Sequence, residues 1–222
     1  TSQDLLSASL SPIADSPRAQ VVLQAMRQLG AARPGTPVLG NVVGPMSLAA
    51  SLVQPDRFLK EMIREPRAVA EVLERLSDLL AAFGQEQISA GAEVMVIADP
   101  TATGEIVGPH LFERLVLPPL SRLIQTLRAA GPPVIVHVCG NVMPLAPLLA
   151  RLEADCVSVD AMVSLRRLRR ALPDTPLMGN LDALVLEAGP AERIAHWTRH
   201  VGLRRADIIA PACAVVPTTP LA

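Results

Sequence analysis

Short runs of β-branched and other apolar residues alternate along the chain with longer stretches that are rich in Ala, Leu and Arg. Short apolar runs bounded by turn residues are typical of buried strands, whereas the longer stretches have the length and spacing of helices. Six strands are predicted, at residues 37–43, 93–98, 133–138, 155–159, 176–178 and 207–210. Strands that alternate with helices predict βαβ units and a parallel sheet.

Six helices are predicted beside these strands, at residues 55–64, 66–90, 109–130, 144–152, 163–172 and 190–201. Five of the six open with Pro, which suits the first turn of a helix because its missing N–H is not needed there. The first 35 residues are predicted to be a Ser-rich leader followed by a helix at 17–29. A chain of 222 residues without an evident linker predicts a single α/β domain.

Every predicted strand ends in, or is followed by, a polar or metal-binding residue. These residues are Asn41, Asp99, His137 with Cys139, Asp160, Asn180 and Cys213. In a (β/α)8 TIM barrel the active site is built at the carboxyl ends of the strands. A doubly wound sheet would usually carry a Gly-rich phosphate loop, and this sequence has neither a GxGxxG motif nor a Walker lysine. The pattern therefore favours a TIM barrel.

A closed barrel needs eight strands and typically about 250 residues, so six predicted strands fall short. Two strands could precede Thr1 in a longer parent protein, or the leader could replace them. A second chain could also close the barrel, which would make the protein a homo-oligomer. The sequence leaves these three alternatives open, and we expect a TIM barrel that lacks its first strands.

The run from Val134 to Gly140 places His137 and Cys139 two residues apart, and such residues lie on the same face of an extended strand. Cys213 follows the last predicted strand and could reach the same barrel mouth. One imidazole and two thiolates suit zinc, and three protein ligands leave the fourth position open for catalysis. The alternative is that the cysteines are small buried hydrophobes and the histidine is structural. Cys156 is predicted to be such a core residue.

Composition excludes several other classes of function. A net charge of −1 without a basic stripe argues against nucleic-acid binding, and no apolar run approaches the roughly 18 residues of a membrane span. Three cysteines do not form the disulfide framework of a small secreted domain, so a cytoplasmic location is expected.

Several segments resemble a known family in order and spacing. They are Gly40–Pro45 (GNVVGP), Ala90–Pro100 (AGAEVMVIADP), His137–Asn141 (HVCGN), Met178–Asp182 (MGNLD) and the tail from Cys213 to Pro220. Together they resemble the uroporphyrinogen decarboxylase superfamily and, within it, the methylcobamide:coenzyme M methyltransferase branch. The resemblance covers the chain from about Pro37 onward.

The resemblance implies a TIM barrel in which His137, Cys139 and Cys213 hold a zinc ion that binds a substrate thiol and lowers its pKa. The thiolate would attack the methyl group of a methylated corrinoid, carried by a partner protein, with cobalt(I) as the leaving group. Coenzyme M, homocysteine and other small thiols would all suit such a site. A metal-free decarboxylase is the alternative enzyme, although the decarboxylases lack this ligand set, and a non-catalytic corrinoid-binding barrel is the other alternative.

Two features depart from the family. Ala161 occupies the position where related zinc methyltransferases offer an acidic fourth ligand, and the adjacent Asp160 could replace it. Family members are also considerably longer, so a chain truncated at both ends is expected.

The remaining candidates lie at other strand ends. Asp99 and Asp160 are predicted catalytic residues. Either Asp99 or Glu105, in the loop that follows it, could face the site and orient the histidine or accept a proton; ordinary Asp-Pro turn chemistry is the alternative for Asp99. Asn41, Asn141 and Asn180 are predicted to contact the corrinoid or the thiol, or else to cap loops. The basic run at residues 166–170 is interpreted as the solvated face of a helix, with Leu165, Leu168 and Leu172 inward.

Overall fold

The computed structural model describes residues 1–203 and 206–220. Its centre is a five-stranded, fully parallel sheet in which neighbours in sequence are neighbours in space. The strands are β1 (Leu39–Val43), β2 (Val94–Ala98), β3 (Val134–Val138), β4 (Cys156–Val159) and β5 (Leu177–Met178). A parallel sheet with this strand order and helical crossovers is the βα repeat of a TIM barrel. Within the described residues the barrel is not closed.

Eleven α-helices are present among the described residues. They are α1 (Ser2–Ser7), α2 (Pro17–Ala32), α3 (Pro45–Leu52), α4 (Pro55–Arg64), α5 (Pro66–Ser89), α6 (Gly108–Leu111), α7 (Leu117–Ala129), α8 (Ala146–Ala150), α9 (Leu165–Ala171), α10 (Ala183–Ala188) and α11 (Ala191–Leu203). Short 3₁₀ turns lie at Ile13–Asp15 and Met143–Leu145. None of the helices in the described part of the chain has the length and apolar character to cross a membrane.

Alternation along the strands gives the sheet two faces of different character. Val42, Met95, Ile97, Val136 and Val157 form the outer face, which is buried against the helices. The inner face, which would line the interior of a closed barrel, carries Asn41, Val96, Ala98, Ile135, His137, Ser158 and Met178. It is only partly covered, and Leu39 on the same side of β1 is 48% exposed.

The free edge of β1 is covered by a side chain. The N–H of Asn41 donates to Oε1 of Gln87 at 2.8 Å, and the carboxamide nitrogen of Gln87 donates to the carbonyl oxygen of Asn41 at 2.9 Å. Gln87 is a buried residue of α5, so the helix layer satisfies both backbone groups of Asn41. An edge strand otherwise presents such groups unpaired.

The prediction of a sixth strand at residues 207–210 is wrong. Segment 207–210 meets β5 and the residues after it at the isolated parallel bridges Met178–Ile208 and Leu181–Pro211, and the N–H of Gly179 donates to the carbonyl oxygen of Ile208 at 2.9 Å. It does not form a continuous strand. One local feature limits the ladder: the carboxylate of Asp207 accepts the N–H of Leu177 at 2.7 Å, so this N–H is not donated to a backbone carbonyl oxygen.

The predicted helix at 109–130 is divided into α6, a π-helical turn at Phe112–Val116 and α7. Pro118 and Pro119 lack the N–H groups that an unbroken α-helix would use. The N–H of Leu117 instead donates to Phe112, five residues earlier.

The sequence patterns also missed α1, α3 and α10. The leader is partly helical because α1 is held by distant residues: the N–H and hydroxyl of Ser2 both donate to Glu61, at 2.8 and 2.7 Å. The guanidinium of Arg75 donates to the carbonyl oxygens of Leu5, Leu6 and Ala8. These contacts span about sixty residues or more of sequence, so local patterns cannot show them.

Candidate metal centre

The three predicted metal ligands lie together at the mouth of the sheet. His137 is the last inner-face residue of β3, and Cys139 follows it one residue beyond the strand. Cys213 arrives from the C-terminal segment, which is tied to β5 by the hydrogen bond from the N–H of Ala212 to the carbonyl oxygen of Leu181 at 2.7 Å. One ligand atom from each residue lies within 4.8 Å of the others.

The spacing of these atoms suits a zinc ion. The Nε2 atom of His137 is 3.1 Å from Sγ of Cys139, which is 3.9 Å from Sγ of Cys213. Tetrahedral zinc separates a nitrogen from a sulfur ligand by about 3.5 Å, and two sulfur ligands by about 3.8 Å. The two thiols therefore match the expected separation, and Nε2 of His137 lies about 0.4 Å closer to Sγ of Cys139 than that geometry requires. The third pair, His137 and Cys213, lies within 4.8 Å.

Burial sets the protonation states of two of the three candidate ligands. Burial lowers the pKa of His137, so its imidazole is neutral near pH 7, as a metal ligand must be. Burial, with smaller effects of Cys213 and Asp160, raises the pKa of Cys139 to about 12. Without a cation this thiol keeps its proton, whereas coordination to a metal would deprotonate it.

Two carboxylates hold the turn that follows Cys139. Gly140 has a φ of +69°, and its N–H donates to Oδ2 of Asp160 at 3.1 Å. The next N–H, of Asn141, donates to Oε2 of Glu105 at 2.9 Å. A hydrogen bond from the hydroxyl of Thr103 is the main cause of the lowered pKa of Glu105. The turn that presents Cys139 is thus anchored to the loops that follow β2 and β4.

A cavity of about 410 Å³ opens beside the three ligands, on the inner face of the sheet. Its lining is mostly apolar, with side chains such as Val96, Ala98, Ile135 and Met178, while His137, Cys139 and Cys213 lie along one part of its wall. Such a cavity can hold a small molecule with its reactive atom at the ligand cluster.

Asp99 lies away from this cavity, on the helix side of the sheet. Residues two apart along an extended strand share a face, so Asp99 lies on the same side as Met95 and Ile97. Its carboxylate accepts hydrogen bonds from the N–H groups of Met46 and Ser47 at the start of α3. The hydroxyl of Ser47 donates to the same carboxylate at 2.5 Å. Complete burial raises the pKa of Asp99 to about 6. The contacts make Asp99 the cap of α3, and its catalytic role stays a prediction.

Asp160 lies close to the ligands but also serves the loop around it. Besides the bond to Gly140, its Oδ1 accepts the N–H of Met162 at 3.2 Å. It is not one of the residues whose ligand atoms cluster within 4.8 Å. A role as the fourth metal ligand or as a catalytic group remains a prediction.

The three predicted asparagines occupy different settings. Asn41 lines the cavity, and its side chain is exposed on the inner face. Asn141 accepts the N–H of Met143 through Oδ1 at 3.1 Å, which caps the 3₁₀ turn there. Asn180 is buried, and its amide donates to the carbonyl oxygens of Asp160 and Val163 at 2.9 and 2.8 Å. Of the three, Asn41 alone borders the cavity, and all three roles in binding stay predictions.

One residue at the centre was missed by the sequence patterns. Ser158 of β4 is 4% exposed, and its hydroxyl lies 3.0 Å from Nδ1 of His137. A hydroxyl within the apolar run Cys156–Val159, at the alternate position that faces inward, is the signal that could have identified it. The prediction for the basic run is confirmed for Leu165, Leu168 and Leu172, which are buried, and for the exposed Arg166, Arg167 and Arg170. It is wrong for Arg169, whose side chain is 15% exposed, pairs with Asp207 and donates to the carbonyl oxygen of Thr175 at 2.6 Å.

Comparison with known protein families assigns nearly the whole chain to one family. Residues 3–222 match the family model described as uroporphyrinogen decarboxylase (URO-D). The chain belongs to this family. The match begins well before Pro37, so it also includes the leader that showed no resemblance by motif.

Relatives with two different names match at similar levels. The methylcobamide:CoM methyltransferase MtbA of Methanosarcina acetivorans is 26% identical over 187 residues, which cover 84% of this chain and 55% of that protein. The uroporphyrinogen decarboxylase of Nocardia farcinica is 33% identical over 185 residues, which cover 80% of this chain and 51% of that protein. The chain therefore spans about half the length of these curated relatives. Similarity to the methyltransferase branch is confirmed.

Solved structures agree with the fold. A methyltransferase from Methanosarcina mazei superposes with a TM-score of 0.89 at 25% identity, over 96% of this chain and 64% of that one. A B12-independent methionine synthase from Shewanella sp. W3-18-1 gives 0.64 at 16% identity, over 97% of this chain and 62% of that one, and shows the fold alone. The prediction of a TIM-barrel fold is confirmed, and the residues that the structure describes do not close the barrel.

Proposed function

We propose that the protein is a zinc-dependent methyltransferase that moves a methyl group between a methylated corrinoid and a small thiol. The observation that carries the proposal is the convergence of one imidazole nitrogen and two thiol sulfurs on a single point beside an apolar cavity. The names of the methyltransferase relatives support the same reaction class.

In this proposal His137, Cys139 and Cys213 would hold the zinc, and three protein ligands would leave one coordination position for a substrate. Bound zinc would supply a lowered pKa for a substrate thiol at that position. The thiolate sulfur forms a bond to the methyl carbon as the bond from carbon to cobalt breaks. The electron pair stays on cobalt, which leaves as cobalt(I), and the thiol proton is lost to solvent or to a base.

The other residues of the mouth prepare this step. Asp160 and Glu105 accept hydrogen bonds from the turn that carries Cys139, which holds this ligand against the loops after β4 and β2. The mostly apolar lining of the cavity offers the substrate a surface of low polarity beside the ligand cluster. A corrinoid protein would bring the methyl group to the mouth, and a cytoplasmic setting fits the free thiols.

Metal content and thiol-dependent demethylation of free methylcobalamin, followed by absorbance, test the proposal together. We expect about one zinc per chain in the purified protein and loss of both zinc and demethylation in His137→Ala and Cys139→Ala. Cys156→Ala is the matched control, because it removes a buried cysteine outside the ligand cluster. Protein without zinc, or ligand variants that demethylate as well as the wild type, would contradict the proposal.

The metal-free decarboxylase remains the second candidate because a uroporphyrinogen decarboxylase relative reaches 33% identity. Decarboxylation of a porphyrinogen by zinc-free protein would favour it. Wild-type protein that binds a corrinoid but catalyses neither reaction would instead favour a non-catalytic corrinoid-binding barrel.

A further inference from the structure

The imidazole of His137 is held at both of its nitrogen atoms. Nε2 faces Sγ of Cys139 at 3.1 Å, and Nδ1 faces Oγ of Ser158 at 3.0 Å. The nitrogen that faces the other ligand atoms is therefore Nε2, and the hydroxyl of Ser158 lies on the opposite side of the ring.

The contact with Ser158 follows from the register of the sheet. His137 and Ser158 are directly paired residues of β3 and β4, so their side chains project from the same face. Ser158 is 4% exposed, which leaves its hydroxyl little access to water. Since backbone pairing fixes both Cα positions, the hydroxyl lies within hydrogen-bond reach of the ring.

The tautomer of the histidine decides which nitrogen can bind a metal. A metal bound at Nε2 needs the lone pair of that atom, so the proton of the neutral ring must reside on Nδ1. There it can be donated to Oγ of Ser158. Metal-binding histidines commonly donate their other N–H in this way, which orients the ring and fixes the tautomer.

We propose that Ser158 is a positioning residue of the metal centre, whose hydroxyl accepts the Nδ1 proton of His137 and directs Nε2 to the metal. This inference rests on the proposed zinc site. It assigns the partner to β4, which contributes none of the three ligands, so that two adjacent strands share the control of one imidazole.

Metal affinity of apoprotein prepared from the whole protein tests the role of Ser158. We expect Ser158→Ala to weaken zinc binding about 10- to 100-fold in competition with a chromogenic chelator, as loss of such partners typically does. Ser158→Thr keeps a hydroxyl on a strand position and should recover most of the affinity. Cobalt(II) substitution gives a second readout, because the visible absorption band reports the geometry around the metal.

Ser77→Ala is the matched control. The hydroxyl of Ser77 is also buried and donates to the carbonyl oxygen of Pro119 at 2.7 Å, but it belongs to α5 and lies outside the metal centre. This variant should leave the zinc affinity and the cobalt(II) spectrum unchanged. Thermal unfolding of each apoprotein shows whether a variant is folded.

The outcomes separate this inference from the proposed function. Wild-type protein that binds neither zinc nor cobalt(II) overturns the metal site itself. Wild-type protein that binds metal, with a folded Ser158→Ala variant of equal affinity and identical spectrum, overturns the role of Ser158 alone. Equal weakening by Ser158→Ala and Ser158→Thr also overturns it, because the hydroxyl would then not be the group that matters.

Discussion

The two faces of the parallel sheet are built from alternate residues of the same strands, yet they carry different properties. On β3, Val136 and Val138 of the outer face are fully buried under helices, whereas His137 between them faces the cavity. The outer face is close-packed, so its residues contribute mainly to stability. The inner face is only partly covered, and its polar groups converge at the mouth. Whether a residue can contribute to the candidate site therefore depends on which face of the strand it occupies as well as on its position at the strand end.

Two isoleucines, one on each face of the sheet, test this division. Substitution of the outer one has the largest expected effect on the free energy of unfolding. Ile97 on the outer face is 0% exposed, and Ile97→Ala should lower the free energy of unfolding by about 2–5 kcal/mol, because it leaves a cavity in a packed core. Ile135 on the inner face already borders a cavity, so Ile135→Ala should cost at most the lower end of that range, about 2 kcal/mol. Urea unfolding measures both values. A larger loss for Ile135 than for Ile97 would contradict the division.

Asp99 gives a somewhat smaller effect that depends on pH. Its folded-state pKa of about 6 lies above the ordinary value of 3.8, so the native protein binds this proton more tightly than the unfolded chain does. Wild-type stability should therefore fall relative to Asp99→Asn as the pH rises from about 4 to about 7, by up to about 3 kcal/mol. Urea unfolding of both proteins across this range measures the difference.

The control for this experiment is Glu105→Gln, whose carboxyl has a lowered pKa and is exposed to solvent. As the pH rises, the free energy of unfolding of the wild type should fall relative to Asp99→Asn but should not fall relative to Glu105→Gln. A difference between wild type and Asp99→Asn that stays constant with pH would show that burial does not raise the pKa of Asp99.

The smallest effect on stability is expected at the mouth. Cys213 is exposed, so Cys213→Ser should change the free energy of unfolding of the metal-free protein by less than about 0.5 kcal/mol. Zinc affinity should nevertheless fall by more than about 100-fold, because a ligand is lost rather than a partner of a ligand. Chelator competition and urea unfolding of the same sample measure the two quantities. A stability loss comparable to that of Ile97→Ala would place Cys213 in the core.

Most of the fold could be predicted from local patterns. The five strands of the sheet lie within the predicted ranges, and α4 agrees with its prediction at both ends. Prediction failed where distant groups decide the local structure. Helix α3 has no capping side chain of its own at Gly44, and the carboxylate of Asp99 supplies the hydrogen bonds from more than fifty residues away.

The candidate site shows the same limit. His137 and Cys139 could be placed together from their spacing alone, because residues two apart share one face of a strand. The same alternation places Asp99 with Met95 and Ile97 on the outer face. The rule that active sites form at strand ends does not consider which face a residue occupies, so it grouped Asp99 with the inner-face residues. Ser158 could not be predicted as a site residue because a single serine in an apolar run indicates no function. Its place beside His137 follows only from the register of the sheet.

By itself the sequence determined the βα alternation, the family and the set of residues able to bind a metal, because periodicity and residue chemistry are local properties. The tertiary structure was needed to place the strand ends around one space, the hydroxyl of Ser158 beside Nδ1 of His137 and the thiol of Cys213 near that of Cys139. Those outcomes depend on sheet register and on hydrogen bonds between residues far apart in the chain, which no local pattern encodes.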